Sequence, residues 1–254
     1  MNTILIIILF LLMLYIDKRR GIKLFLSLFF NFLILMILFY FISIGLNPII
    51  CSLLGCLAMS YIILFFVNGE NLKTKTSFKS IIIVLIILAL LIYIMTTLSR
   101  VAGFGYESFE EINMFSYDVK IDFTGIAISL VLISLIGATV DASIAISSAL
   151  FEVYDNNKHL SKKELFISGM NIGKDILCTS VNTLLFAFLA DFMTLVIWYY
   201  KGHYSFLDII NSKTFASEFI RIMFSISGCL LVIPITSLMT AKAITNLKEN
   251  NKLD

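Results

Sequence analysis

The sequence predicts an all-α fold, a polytopic transmembrane bundle of about seven helices. Of its 254 residues, 59% are apolar and 14% are charged, and the mean hydropathy is +0.98. Soluble domains are about 45–50% apolar and about 25% charged. The apolar residues form continuous runs, without the period-two alternation of a membrane β-barrel. Because lipid offers no hydrogen-bond partners to the backbone, runs of this kind must be helical.

Seven apolar runs predict the spans, and a full span needs about 20 apolar residues. The first run is shorter, and no small-x-small cleavage site follows it, which predicts an uncleaved helix of uncertain depth. The runs predict N-terminal membrane helices in residues 1–79, a four-span core in 80–243 and a cytoplasmic tail in 244–254. The seven runs cover residues 2–16, 22–45, 48–67, 80–99, 123–151, 172–200 and 217–243.

The basic residues predict the orientation. Fourteen of the 19 Lys and Arg residues lie in the breaks 17–23, 68–79 and 152–174 and at the carboxyl-terminal end, residues 242–254. The positive-inside rule then predicts a cytoplasmic carboxyl terminus and an outside amino terminus. If the first run does not span, the amino terminus lies inside. The net charge of +2 gives no reason to expect a nucleic-acid partner.

The two long outer segments, 100–122 and 198–218, carry aromatic residues that predict anchors at the membrane interface. The acidic residues of the first segment could instead gather cations at an entrance. Near the end of the second segment, Glu218 and Arg221 are spaced to pair on one helix. We expect Asp191 to lie at the outer interface or, alternatively, at the outer end of a polar path.

The fifth run carries a stripe of small and acidic residues. The spacings of four, four, three and four predict one helical face. Because small residues let helices approach closely, we predict that this stripe packs against a neighbouring helix and that Asp141 lies in the contact. The stripe consists of Gly137, Asp141, Ala145, Ser148 and Glu152.

The sixth run carries a second polar face, with spacings of four, three and four. A short loop joins the two runs, which favours antiparallel contact between the two faces. We therefore predict that Asp141 approaches Asn182, with Thr179 nearby. The second face consists of Asn171, Asp175, Cys178 and Asn182.

A carboxylate in the bilayer is a functional hypothesis, because it costs about 2.5–3.5 kcal/mol to insert there. The candidate residues for ion coupling, or for an intramembrane polar contact, are Asp141, Asn182, Thr179 and Asp175. Alternatively, Asp141 is a protonated residue that only joins helices, and Asn182 and Thr179 only bridge them. Asp175 and Glu152 would then be solvated charges at the membrane edge. Ion coupling requires that Asp141 face protein and not lipid.

No pattern predicts catalysis, a metal or a cofactor. The four cysteines lie in apolar runs without a Cys-x-x-Cys pair, and His159 and His203 both lie in breaks. The sequence contains no phosphate-binding glycine loop and no His-Glu-x-x-His motif. The residues around Asp141 do not fit the Gly-x-Gly-Asp of intramembrane aspartyl proteases. We therefore expect no enzyme.

Residues 80–243 resemble the YibE/F family of bacterial multipass membrane proteins. The resemblance is carried by Gly137–Ser148 with Glu152, by Glu164–Ile176, and by Thr179 to Leu185. It implies a helical protein of the bacterial cell membrane but supplies no activity. The chain is similar to the shorter members that lack a large outer domain, which implies a paralogous YibE/F partner.

The Gly-x-x-Val-Asp pattern ending at Asp141, with Glu152 eleven residues later, is also similar to one transmembrane repeat of SecD and of RND and MMPL permeases. That resemblance implies that Asp141 lies on a proton or ion path. It also implies a homodimer or a paralogous partner, because those permeases have two repeats. Two functions follow as hypotheses: an ion-coupled transporter or transporter subunit, and a non-transporting partner that scaffolds or stabilises an export or envelope complex.

Overall fold

The structure is a computed structural model that describes residues 2–103, 105 and 122–250. The described residues form eight α-helices and one π-helical segment and contain no strand, which confirms the all-α prediction. Most of the first outer segment, residues 106–121, lies outside the described residues. The helices are α1 Asn2–Ile16, α2 Lys18–Ser43, α3 Pro48–Tyr61, the π-helix Ile62–Val67, α4 Leu72–Ser99, α5 Phe123–Asn156, α6 Lys162–Lys201, α7 Phe206–Asn211 and α8 Lys213–Asn250.

Six helices within the described residues are long and apolar enough to cross a membrane. They correspond to six of the seven predicted runs. The remaining run forms α1, whose 15 residues extend over only about 22 Å, less than the bilayer core. The six candidate spans are Arg20–Ser43, Pro48–Val67, Leu72–Ser99, Phe123–Asn156, Lys162–Lys201 and Lys213–Lys248.

Capping residues start two helices well before their apolar runs. At the start of α4, Asn71 Oδ1 accepts the Thr74 N–H at 2.9 Å, and Thr74 Oγ1 accepts the Asn71 N–H at 3.1 Å. At the start of α6, Glu164 Oε2 accepts the Ser161 N–H at 2.8 Å. Such reciprocal pairs satisfy first-turn amides that a helix cannot pair internally. They extend α4 and α6 beyond the predicted spans.

The core lies where α4, α5 and α8 meet. Leu88 of α4, Leu135 of α5 and Val232 of α8 are fully buried in one apolar cluster. A second cluster joins α5 and α8 to the first half of α6, and Leu150 and Leu165 are fully buried in it. The extensive contact between α5 and α8 is the centre of the bundle. In contrast, most of the second half of α6 is exposed.

The contact between α6 and α8 depends on two glycines, Gly169 and Gly173, spaced four apart on one face of α6. A Cβ atom on Gly169 would lie 2.6 Å from Ser237 Oγ, and a Cβ on Gly173 would overlap Ile233. Glycines at this spacing let two membrane helices approach until their backbones lie close together, because no side chain separates them. They therefore fix which face of α6 turns toward α8.

Candidate functional site

Asp141 lies on an exposed face of α5. Its neighbours Val140 and Ala142 are buried, whereas Asp141 itself is exposed. The carboxylate therefore belongs to an open face of the single chain, and not to its packed interior.

Within the single chain, the predicted stripe does not pack against another helix at three of its five positions. A Cβ on Gly137 would meet nothing within 4 Å, and Asp141 and Glu152 are exposed, although Ala145 and Ser148 are half-buried. The close approach of α5 to α8 uses a different face. There a Cβ on Gly228 would lie 2.7 Å from Thr139 Cγ2. Thr139 and Gly137 point to nearly opposite sides of α5, because each residue turns the helix by about 100°.

The predicted contact between Asp141 and Asn182 is wrong for the single chain. Within the described residues no hydrogen bond joins them, Asn182 and Asp175 are exposed, and the exposed Thr179 donates to Ile176 O of its own helix at 2.9 Å. The physical reason is the rotation of α6. Its glycine face turns toward α8, and the polar face lies roughly opposite on a helix of 3.6 residues per turn. All four residues of that face, Asn171, Asp175, Cys178 and Asn182, are exposed.

A group of three charges joins α6 to α8 toward the predicted outer side. Arg221 pairs with Glu218 on α8, as the spacing predicted, and its Nη2 also lies 3.4 Å from Asp191 Oδ2 on α6. One turn further along α8, the Ser225 hydroxyl lies 3.2 Å from that of Ser134 on α5. Asp191 is thus one partner of an ion-paired group, which the spacing within α6 could not predict.

Buried hydroxyls join α4, α5 and α8 on the predicted cytoplasmic side. The Ser143 and Thr236 hydroxyls lie 3.0 Å apart, and those of Ser147 and Thr76 lie 2.9 Å apart. Thr240 donates to Ser147 at 3.4 Å. Such contacts between membrane helices stabilise by about 0.6 kcal/mol each. The i, i+4 spacing of Ser143 with Ser147, and of Thr236 with Thr240, was the signal in the sequence that could have revealed them.

Within the described ranges, no group of three or more His, Cys, Asp or Glu side chains is placed to hold a metal ion.

The family model described as YibE/F-like protein matches residues 5–246. The chain belongs to this family. The match includes the N-terminal helices as well as the four-span core in which the resemblance was found. No curated protein matches the chain. No solved structure matches it either, so the resemblance to an RND-type repeat stays a prediction.

Several residues that carry the YibE/F resemblance have local structural roles in α6. Glu164 caps the first turn of the helix, and Gly169 and Gly173 pack against α8. The same helix then presents Asp175 and Asn182 on its exposed side. This part of the YibE/F motif therefore places a polar helical face away from the bundle.

Proposed function

We propose that this YibE/F-like protein is a subunit of an ion-coupled transporter, in which Asp141 lies on the ion path and a second subunit covers its open face. The observation that carries the proposal is the position of Asp141. It lies within a helix long and apolar enough to cross a membrane, yet it is exposed in the single chain.

The energetic argument concerns what covers that carboxylate. An ionised Asp facing lipid near the bilayer centre costs about 2.5–3.5 kcal/mol, and such residues ordinarily face protein or a water-filled cavity. On α6, Asn182 adds a second polar group that the chain leaves exposed. A partner surface, or water enclosed between subunits, would remove the cost of exposing Asp141 to lipid and the cost of exposing Asn182. That partner would be a second copy of the chain or a paralogous YibE/F protein.

The orientation proposed for the subunit follows the basic residues. We place it in a bacterial cell membrane with its carboxyl terminus in the cytoplasm, because most Lys and Arg residues lie at that end of the spans. Asp141 then lies in the cytoplasmic half of α5, and the group of Asp191, Glu218 and Arg221 lies toward the outside. An ion path through the subunit would pass Asp141 in the cytoplasmic half and then Asp191 and Glu218 toward the outside.

A second function is favoured by the direction of the α6 polar face. That face points away from the bundle, so it can bind a partner without taking part in transport. A non-transporting subunit that scaffolds or stabilises an export or envelope complex would need this surface and would not need an ionisable group at position 141.

Proton flux into liposomes that contain the purified full chain, under an imposed pH gradient, separates the two functions. For ion coupling we expect flux from the wild type and loss of flux from Asp141→Asn, because an amide keeps the shape but cannot exchange a proton. The matched control is Asp155→Asn, which neutralises an exposed carboxylate near the end of the same helix.

Wild-type flux from Asp141→Asn would refute ion coupling at this residue. Absence of flux from the wild type and both variants would favour the scaffolding function or mean that a paralogous subunit is needed for transport. Pull-down from native membranes would then be expected to recover a partner, and substitution of the α6 polar face should release it.

A further inference from the structure

A cavity of about 450 Å³ opens at the ends of three candidate spans. It lies between the start of α2, the end of the π-helix, the start of α4 and the second half of α5, and its lining includes Arg20, Val67, Lys73 and Ser148. The spans Arg20–Ser43 and Leu72–Ser99 begin there, and the span Pro48–Val67 ends there. Because these candidate spans begin or end there, we place the cavity at the level of the lipid headgroups and water, and not in the apolar centre of the bilayer.

The lining of this cavity is cationic. Arg20, Lys23 and Lys73 oppose a single carboxylate, Asp17, so the lining carries a formal charge of +2. Asp17 is partly engaged, because its Oδ1 accepts the Arg20 N–H at 3.4 Å as the cap of α2. Basic pockets between membrane helices are the usual sites for acidic headgroups.

Two of the three cations are held in place by neighbouring side chains. Arg20 Nη2 donates to Asn68 Oδ1 at 2.6 Å, and Lys73 Nζ lies 5.9 Å from the centre of the Phe151 ring. Contacts of this kind reduce the side-chain entropy that a bound anion would otherwise have to remove. The remaining N–H groups of the Arg20 guanidinium can still donate to a ligand.

The start of α4 adds backbone donors. Its capping box uses the amides of Asn71 and Thr74, and both residues line the cavity. The amides of Leu72 and Lys73 lie between them in the first turn, where helix geometry provides no internal acceptor. First-turn amides together with the helix dipole favour a bound phosphate.

We infer that this cavity binds a phosphate group, either of an anionic lipid headgroup or of a soluble phosphate compound. The volume is within the range of small-ligand sites, and the cations and the first-turn amides are donors to phosphate oxygens. Ser148 connects this site to the open face of α5, seven residues and about 10 Å from Asp141. The inference does not depend on transport.

Binding is measured with the purified full chain and two probes. Native mass spectrometry counts bound phosphatidylglycerol, with phosphatidylcholine as the zwitterionic comparison, and calorimetry measures inorganic phosphate. For Arg20→Gln with Lys73→Gln we expect binding about 25-fold weaker than wild type, since each cation near a membrane surface contributes a factor of about five. The matched control is Lys75→Gln with Lys79→Gln, which removes two exposed lysines of α4 that do not line the cavity.

The two probes identify the source of the phosphate. If both bind and the cavity variant weakens both, soluble phosphate is sufficient. If only phosphatidylglycerol binds and is weakened, a lipid headgroup is the ligand. The inference is overturned if the wild type binds neither probe, or if the cavity variant binds as well as its control. Lys23→Gln, at an exposed position of the lining, provides the same comparison if the double variant does not fold.

Discussion

Gly169 provides the sharpest test of how α6 is oriented. We predict that Gly169→Ala destabilises the protein, whereas Gly137→Ala does not. The two glycines both lie inside long membrane helices, but their surroundings differ. A Cβ on Gly169 would lie 2.6 Å from Ser237 Oγ, 2.8 Å from Ser237 Cβ and 2.9 Å from Leu150 Cδ1, whereas a Cβ on Gly137 would meet nothing within 4 Å.

The magnitude follows from two opposing terms. Replacing glycine by alanine in a helix contributes about 1 kcal/mol through helix propensity, and this term is the same at both positions. Overpacking a well-packed contact costs about 1–3 kcal/mol. That cost applies only at Gly169, where Ser237 Cβ cannot rotate away and α8 must shift. The free energies of unfolding of the two variants should therefore differ by about 1–3 kcal/mol.

The measurement is reversible unfolding of the purified protein by titration of mixed micelles with a denaturing detergent. We expect Gly137→Ala to be at least as stable as wild type and Gly169→Ala to be less stable. Equal stability of the two variants would refute the packing of α6 against α8 through its glycine face. In that event the polar face of α6 would no longer need to point away from the bundle.

Two further predictions concern charged groups on the predicted outer side. Arg221→Gln should lower the free energy of unfolding by about 1–2 kcal/mol, a loss between those measured for surface and for buried ion pairs. The intermediate value is expected because the Arg221 side chain is 32% exposed and pairs with both Glu218 and Asp191. Asp191→Asn is the comparison, and a loss as large as that of Arg221→Gln would contradict the reasoning, because Asp191 is 68% exposed. Hydrogen bonds from the hydroxyl and then the N–H of Ser205 hold the pKa of Asp208 below its ordinary value. This cap therefore stabilises α7 fully above the ordinary carboxyl pKa and loses its effect as the pH falls through the lowered pKa of Asp208. Ser205→Ala should raise the pKa of Asp208, which a carboxyl NMR titration measures. An unchanged pKa would show that the Ser205 hydroxyl does not lower it.

The sequence by itself determined the fold class, six of the spans and the family. The physical reason is that a helical span requires about 20 apolar residues and that, in runs without period-two alternation, only a helix satisfies the backbone in lipid. These requirements are local, so they can be seen in runs such as 48–67 without any knowledge of neighbours. The spacing within α8 likewise predicted the pair of Glu218 and Arg221, because both residues lie on one turn.

Only the tertiary structure decided which way each helical face points. Periodicity shows that Gly137 and Asp141 share a face, and equally that Gly169 and Gly173 do. It does not show which face meets another helix, since lipid and protein interiors are similarly apolar and small residues fit either environment. The contacts with Ser237 and Ile233 turned α6 so that its glycines pack against α8. That rotation left the polar faces open and brought Asp191 to Arg221.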